Sequence, residues 1–96
     1  EYLRIDSDTF MLRVTGESMI EDHIQDGDLV LIERATTARD GDTVVAVMGG
    51  ETTLKRLYRE GSMIRLQPAN AGMEPRFVPS HEVEIRGVLR GVVRRT

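Results

Sequence analysis

Two copies of one short punctuation mark, Asp26-Gly27-Asp28 and Asp40-Gly41-Asp42, are each followed at once by an apolar, β-prone run. Glycine takes positive φ without a steric penalty and aspartate closes on the backbone just after it, so each Asp-Gly pair predicts a turn. The two turns should deliver two strands of one sheet. The first run, Leu29-Val30-Leu31-Ile32, is apolar enough to be covered on both faces; the second spans residues 43–47. Gly49-Gly50 predicts a hairpin from 44–48 into 52–58, and Glu60-Gly61-Ser62 turns the chain again into 63–66. Upstream, Phe10, Leu12 and Val14 alternate with Met11, Arg13 and Thr15, the period of a half-buried strand.

Little of the chain is left for helix. Met19, Ile20, His23 and Ile24 fall near one face at helical spacing, so one short helical turn is expected after Ser18, which could cap it, with Gly27 at its far end. Residues 67–79 hold all three prolines, Pro68, Pro75 and Pro79, together with Asn70 and Gly72, and read mostly as loop. Residues 83–93 form a closing β run in which Gly87 and Gly91 predict bulges or a close backbone approach. The expected fold is all-β (mostly β): a small single domain of folded antiparallel sheets, barrel-like. Residues 1–9 read as a polar linker remnant that starts abruptly, and residues 10–96 as the domain.

Composition narrows the function classes. Ninety-six residues suffice for one domain with a modest core. A net charge of −3 argues against a broad nucleic-acid-binding face. Arg90, Arg94 and Arg95 form a basic end that reads as a solvated strand terminus. With no cysteine and only His23 and His81, neither a thiolate nor a histidine metal site is expected. The aspartates of the two turns lack the bidentate glutamate that a calcium loop places downstream, so they too read as turns. No apolar run approaches the roughly 20 residues of a spanning helix, and no basic-then-apolar signal opens the chain, so a cytoplasmic protein without membrane contact or cofactor is expected.

The chemistry-bearing residues are Ser18, in the glycine-led turn Gly16-Glu17-Ser18-Met19, and Lys55, in Thr53-Leu54-Lys55-Arg56-Leu57. A serine hydroxyl needs a base beside it to attack at neutral pH. Neither histidine is well set for that: His23 lies on the short helical turn, and His81 follows the proline-rich loop. A lysine serves if its amine is neutral, and burial lowers lysine pKa values to about 5–6 in documented cases. Lys55 is the lone lysine among arginines, and arginine cannot act as a base. Thr53, Lys55 and Leu57 share one face of a strand, and Leu54, Arg56 and Tyr58 the other. Spacing leaves either face as the inner one, Ser18 as a plain helix cap, and Lys55 as a solvated lysine.

The ordered set Phe10-Met-Leu-Arg-Val-Thr-Gly-Glu-Ser-Met19, Asp26-Gly-Asp28, Gly41-Asp42, Val45-Ala46 and Thr53-Leu-Lys-Arg56 resembles the C-terminal domain of LexA repressors. Leu66-Gln-Pro-Ala-Asn70 and Ile85-Arg-Gly-Val-Leu-Arg-Gly-Val-Val-Arg94 extend the resemblance. That family belongs to the Ser-Lys self-cleaving proteins, which include phage repressors and UmuD. The resemblance implies Ser18 as nucleophile, Lys55 as general base and the main-chain amides of Glu17 and Ser18 as the oxyanion site. It implies cleavage of the protein's own Ala-Gly bond, promoted by a RecA–single-stranded-DNA filament, within the DNA-damage (SOS) response. It also implies a homodimer formed through the C-terminal strand, with operator DNA read only by a separate N-terminal helix-turn-helix domain outside these residues. The cleavage segment likewise lies outside them; Ala71-Gly72 follows the lysine strand and reads as coincidental, so this stretch is expected to be equipped but idle. Other readings are a phage-repressor or UmuD-type relative, a signal-peptidase-like protease, and a module that only dimerises.

Overall fold

The structure, a computed structural model, describes residues 2–4 and 6–94. Its strands are β1 (Tyr2–Arg4), β2 (Thr9–Arg13), β3 (Leu29–Arg34), β4 (Thr43–Met48), β5 (Glu51–Glu60), β6 (Met63–Gln67), β7 (Arg76–Pro79) and β8 (Glu84–Val93). They form one sheet in the order β1-β2-β3-β8-β4-β5-β6-β7, and every neighbouring pair is antiparallel. The all-β reading holds, but the sheet is folded and open rather than closed, with β1 and β7 at its ends. Tyr2–Arg4, read as lead-in, pair with β2. Arg76–Pro79, read as loop, pair with β6. Pro79 is tolerated there because β7 is the last strand, with no further neighbour on its outer side.

The two Asp-Gly-Asp turns do deliver β3 and β4, and β8 lies between the two strands. Their aspartates are spent on backbone amides: Asp26 Oδ1 accepts from Gly16 N at 2.7 Å, Asp42 Oδ2 from Arg39 N at 3.0 Å, and Asp40 Oδ1 from Arg59 N at 2.9 Å. Asp28 is 4% exposed and accepts from Gln25 N and from both Nε and Nη2 of Arg94. Those Arg94 bonds, with the Gln25 amide second, hold its carboxyl down at about 2. Arg94 is therefore a clip between the end of β8 and the loop before β3, not an idle strand end; Arg95 lies outside the described residues.

β4 is buried on both sides. Val45 joins a cluster with Phe10, Met19, Ile24, Val30 and Ile32, while Val44 and Ala46 face a second cluster with Leu57, Ile64, Leu66 and Val88. In β3 only Val30 and Ile32 are buried, at 1% and 0% exposure; Leu29 and Leu31, expected to be covered too, are half-buried. Their face carries the partly exposed Met11 and the exposed Val93 opposite them, with no core cluster over it among the described residues.

β8 carries two bulges, and each turns an arginine outward. Leu31 and Ile32 pair with Gly91 and Leu89, which leaves Arg90 extra; Val45 and Ala46 pair with Gly87 and Ile85, which leaves Arg86 extra. Arg90 then meets Glu33 at 2.7 Å. At Gly87, between the bulges, β3 passes close over β8: a Cβ there would collide with Ile32 Cγ2 and lie 2.7 Å from Glu33 O. Gly91 has room for one. Gly87→Ala should lower stability by about 1–3 kcal/mol through overpacking against backbone, read as a lower urea midpoint, whereas Gly91→Ala should stay within about 1 kcal/mol of wild type. Equal midpoints for the two would contradict the close crossing.

Candidate active site

The chain between β2 and β3 leaves the sheet and returns to the same point. Val14 N donates to Asp28 O and Gly27 N to Val14 O, both at 2.8 Å, and these bonds close the loop at its base. Inside it Gly16 turns the chain at φ 83°, and Met19 and Ile24, each 1% exposed, plug into the first cluster. With Met19 anchored, Ser18 is held half-buried at the rim of the core. The expected helical turn is a single 3-10 turn, Ile20–Asp22, closed by His23 in the left-handed region at φ 63° rather than by Gly27. It has no side-chain cap. Ser18 is thus not a cap.

Lys55 lies in the part of β5 that runs past its pairing with β6, which begins at Arg56↔Gln67. Opposite Val44 in the register, it shares a face with Thr53 and Leu57, while Leu54 packs on the first cluster. Both faces of β5 are therefore inner at different points along it. Ser18 and Lys55 line one cavity of about 130 Å³, together with Leu12, Val14, Met19, Thr53 and Leu54. Lys55 is half-buried, and its Nζ donates to Thr53 Oγ1 at 2.6 Å. Among the described residues no hydrogen bond joins Lys55 to Ser18.

Desolvation holds the Lys55 amine below its ordinary value of 10.5. Glu51 works against this, and Arg76, which lines the groove on the other side of Lys55, works with it. The amides of Glu17 and Ser18 donate to no acceptor among the described residues, and both are main-chain groups of the turn that presents the hydroxyl. One cavity thus brings together a hydroxyl and an amine with a lowered pKa, and the turn that presents the hydroxyl carries uncommitted N–H donors. Among the described residues no group of three or more His, Asp or Glu side chains could hold a metal.

Three interactions of this arrangement have no counterpart in the expectations from sequence. Thr53 is the acceptor for Lys55, and the i, i+2 alternation that put both on one face could have found it. Asp22 and Arg56 form a bidentate pair that ties the 3-10 turn to the strand carrying Lys55. Asn70 Nδ2 donates to Glu17 O at 2.9 Å across 53 residues, a separation at which no local pattern gives a signal.

The family model described as peptidase S24-like matches residues 1–90. The chain belongs to that family. It is similar to the LexA repressor of Koribacter versatilis, 54% identical over 89 residues covering 92% of this chain and 42% of the relative. It is also similar to those of Thermotoga neapolitana, 52% identical over 90% of this chain and 44% of the relative, and Clostridium novyi, 46% identical over 98% and 46%. The chain is thus a LexA-type C-terminal domain and spans less than half the length of these relatives. No helix among the described residues is long and apolar enough to cross a membrane.

The lowered Lys55 pKa makes a stability prediction for this LexA-type domain. Between the folded value and 10.5 the unfolded chain binds more protons, so stability rises with pH across that window. Lys55→Met, which removes the half-buried charge, should therefore raise the urea midpoint at pH 7, and the gain should shrink as pH climbs towards 10.5. A loss at pH 7, or a gain that does not change with pH, would contradict a desolvated amine.

Proposed function

We propose that this domain is the self-cleaving and dimerising part of a LexA-type repressor of the DNA-damage response, a serine endopeptidase with a Ser18–Lys55 dyad. The observation that carries the reading is the shared cavity, lined both by Ser18 on a core-anchored turn and by the desolvated Lys55. When a peptide segment fills the cavity, Nζ turns from Thr53 to the Ser18 hydroxyl. Oγ then bonds to the scissile carbonyl carbon as its proton passes to Lys55. The amides of Glu17 and Ser18 hold the oxyanion. As the C–N bond breaks, the protonated Lys55 returns that proton to the leaving amine, and water then hydrolyses the Ser18 ester.

The substrate in this reading is an Ala-Gly bond of the same protein, outside the residues described here, and a RecA–single-stranded-DNA filament stimulates the cut. Ala71-Gly72 is a poor candidate because its turn is tied down: Ala71 N donates to Glu21 Oε2 and Gly72 N to Asn70 Oδ1. A homodimer is supported by β8. Its pairing with β4 ends at Val88 and its pairing with β3 continues to Val93, so the outer half keeps one open edge, with Val92 and Val93 41% and 51% exposed. Operator binding belongs to a separate N-terminal domain.

Incubation of the full-length protein over pH 7–10.5 tests the dyad. Cleavage should speed up as Lys55 loses its proton and level off above its depressed pKa. Ser18→Ala and Lys55→Ala should each slow it by on the order of 10⁴–10⁶-fold. Cleavage surviving either substitution would remove the dyad, and a wild-type protein inert at every pH would leave a dimerisation module.

A further inference from the structure

The loop after β6 grips the Ser18 turn at three successive residues. Ala69, 4% exposed, sits in the same cluster as Met19, and its carbonyl accepts from Glu21 N at 2.7 Å. Ala71 N donates to Glu21 Oε2 at 2.6 Å. Between them, Asn70 uses both ends of its amide: Oδ1 accepts from Gly72 N and Nδ2 donates to Glu17 O, each at 2.9 Å. An N–H donor facing one end and a carbonyl facing the other fix which atom is oxygen and which nitrogen.

Glu17 O and Ser18 N belong to one peptide unit. That unit is planar and trans, so its C=O and N–H point in opposite directions. Whatever holds the carbonyl therefore aims the amide. The other bond to Glu17 O comes from Ile20 N and is long, at 3.3 Å. Asn70 is the shorter of the two holds, and it comes from outside the turn, on a segment anchored in the core by Ala69.

We infer that Asn70 is a positioning residue for the nucleophilic turn: by gripping Glu17 O it fixes the Glu17–Ser18 peptide plane and so aims the Ser18 N–H at the developing oxyanion. The inference rests on reading Ser18 as the nucleophile. Asn70 touches no reacting atom and leaves the Lys55 proton alone. Its loss should therefore lower the limiting rate without moving the pH at which that rate is half reached. Removing a whole oxyanion donor costs about 10²–10³-fold in rate; mis-aiming one of two, with the Ile20 bond still in place, should cost about tenfold.

The test follows self-cleavage of the full-length protein, and phosphonylation of Ser18 by a fluorophosphonate, across pH 7–10.5. Rates are normalised to the folded fraction from urea titration. Asn70→Ala should lower both plateaus about tenfold with the half-maximal pH unchanged. Asn70→Asp keeps the oxygen that Gly72 N needs and lacks the donor, so it should lose plateau rate similarly while the loop turn survives. The proposal is overturned if either variant keeps the wild-type plateau at a reduced urea midpoint, which is what a purely structural asparagine gives. It is also overturned if Asn70→Ala shifts the half-maximal pH and spares the plateau. Unchanged cleavage in Ser18→Ala would instead overturn the dyad itself, a result separable from both.

Discussion

Val44, Val45 and Ala46 are consecutive and all buried, so β4 must have protein on both of its faces. This one requirement shapes the rest of the sheet. The partner strand β5 has to supply Leu54 to one cluster and Leu57 to the other. On the first side, Met19 and Ile24 from the β2–β3 loop and Ala69 from the loop after β6 complete the packing around Phe10, Val30 and Ile32. On the second side, β6 and β8 supply the apolar residues. Lys55 falls between the two commitments of β5, beyond the end of β6 pairing, where the strand keeps β4 on one edge and, among the described residues, has no strand on the other.

The same packing gives the site its electrostatics. A lysine on a surface strand would keep its charge well above neutral pH; here burial withdraws water from the amine and lowers its proton affinity. The hydroxyl partner sits on a turn that is irregular in conformation yet fixed in place. Met19 anchors it from below, Arg56 holds it through Asp22, and the loop after β6 holds it through Glu17 and Glu21. In this structure Nζ rests on Thr53.

Much of this was legible from residue order. The period-two run at Phe10, Leu12 and Val14, the Asp-Gly turns before β3 and β4 and the Gly49-Gly50 hairpin are local signals, and each marked a strand now seen in the sheet. What escaped was non-local. β1 is three residues long and β7 four, and both are defined by pairing with β2 and β6 rather than by their own pattern. Proline density masked β7, because an end strand tolerates what an inner strand would not. The Leu29–Ile32 stretch looked covered on both sides, since hydrophobicity alone does not say whether a second layer exists. Ser18 and Lys55 stood out as a glycine-led serine and a lone lysine; of their supports only Thr53, two residues from Lys55, had a local signal, and nothing nearby named Asn70 or the Asp22–Arg56 pair.

Lys55 is the sole lysine in the chain, so incorporating 15N-lysine gives one side-chain amine signal, and its titration by NMR reads the central quantity directly. The midpoint should lie clearly below 10.5 in the folded domain and return to the ordinary value when the domain is unfolded in urea. A folded midpoint at or above 10.5 would mean a solvated ammonium, and would contradict the proposed Ser18–Lys55 dyad.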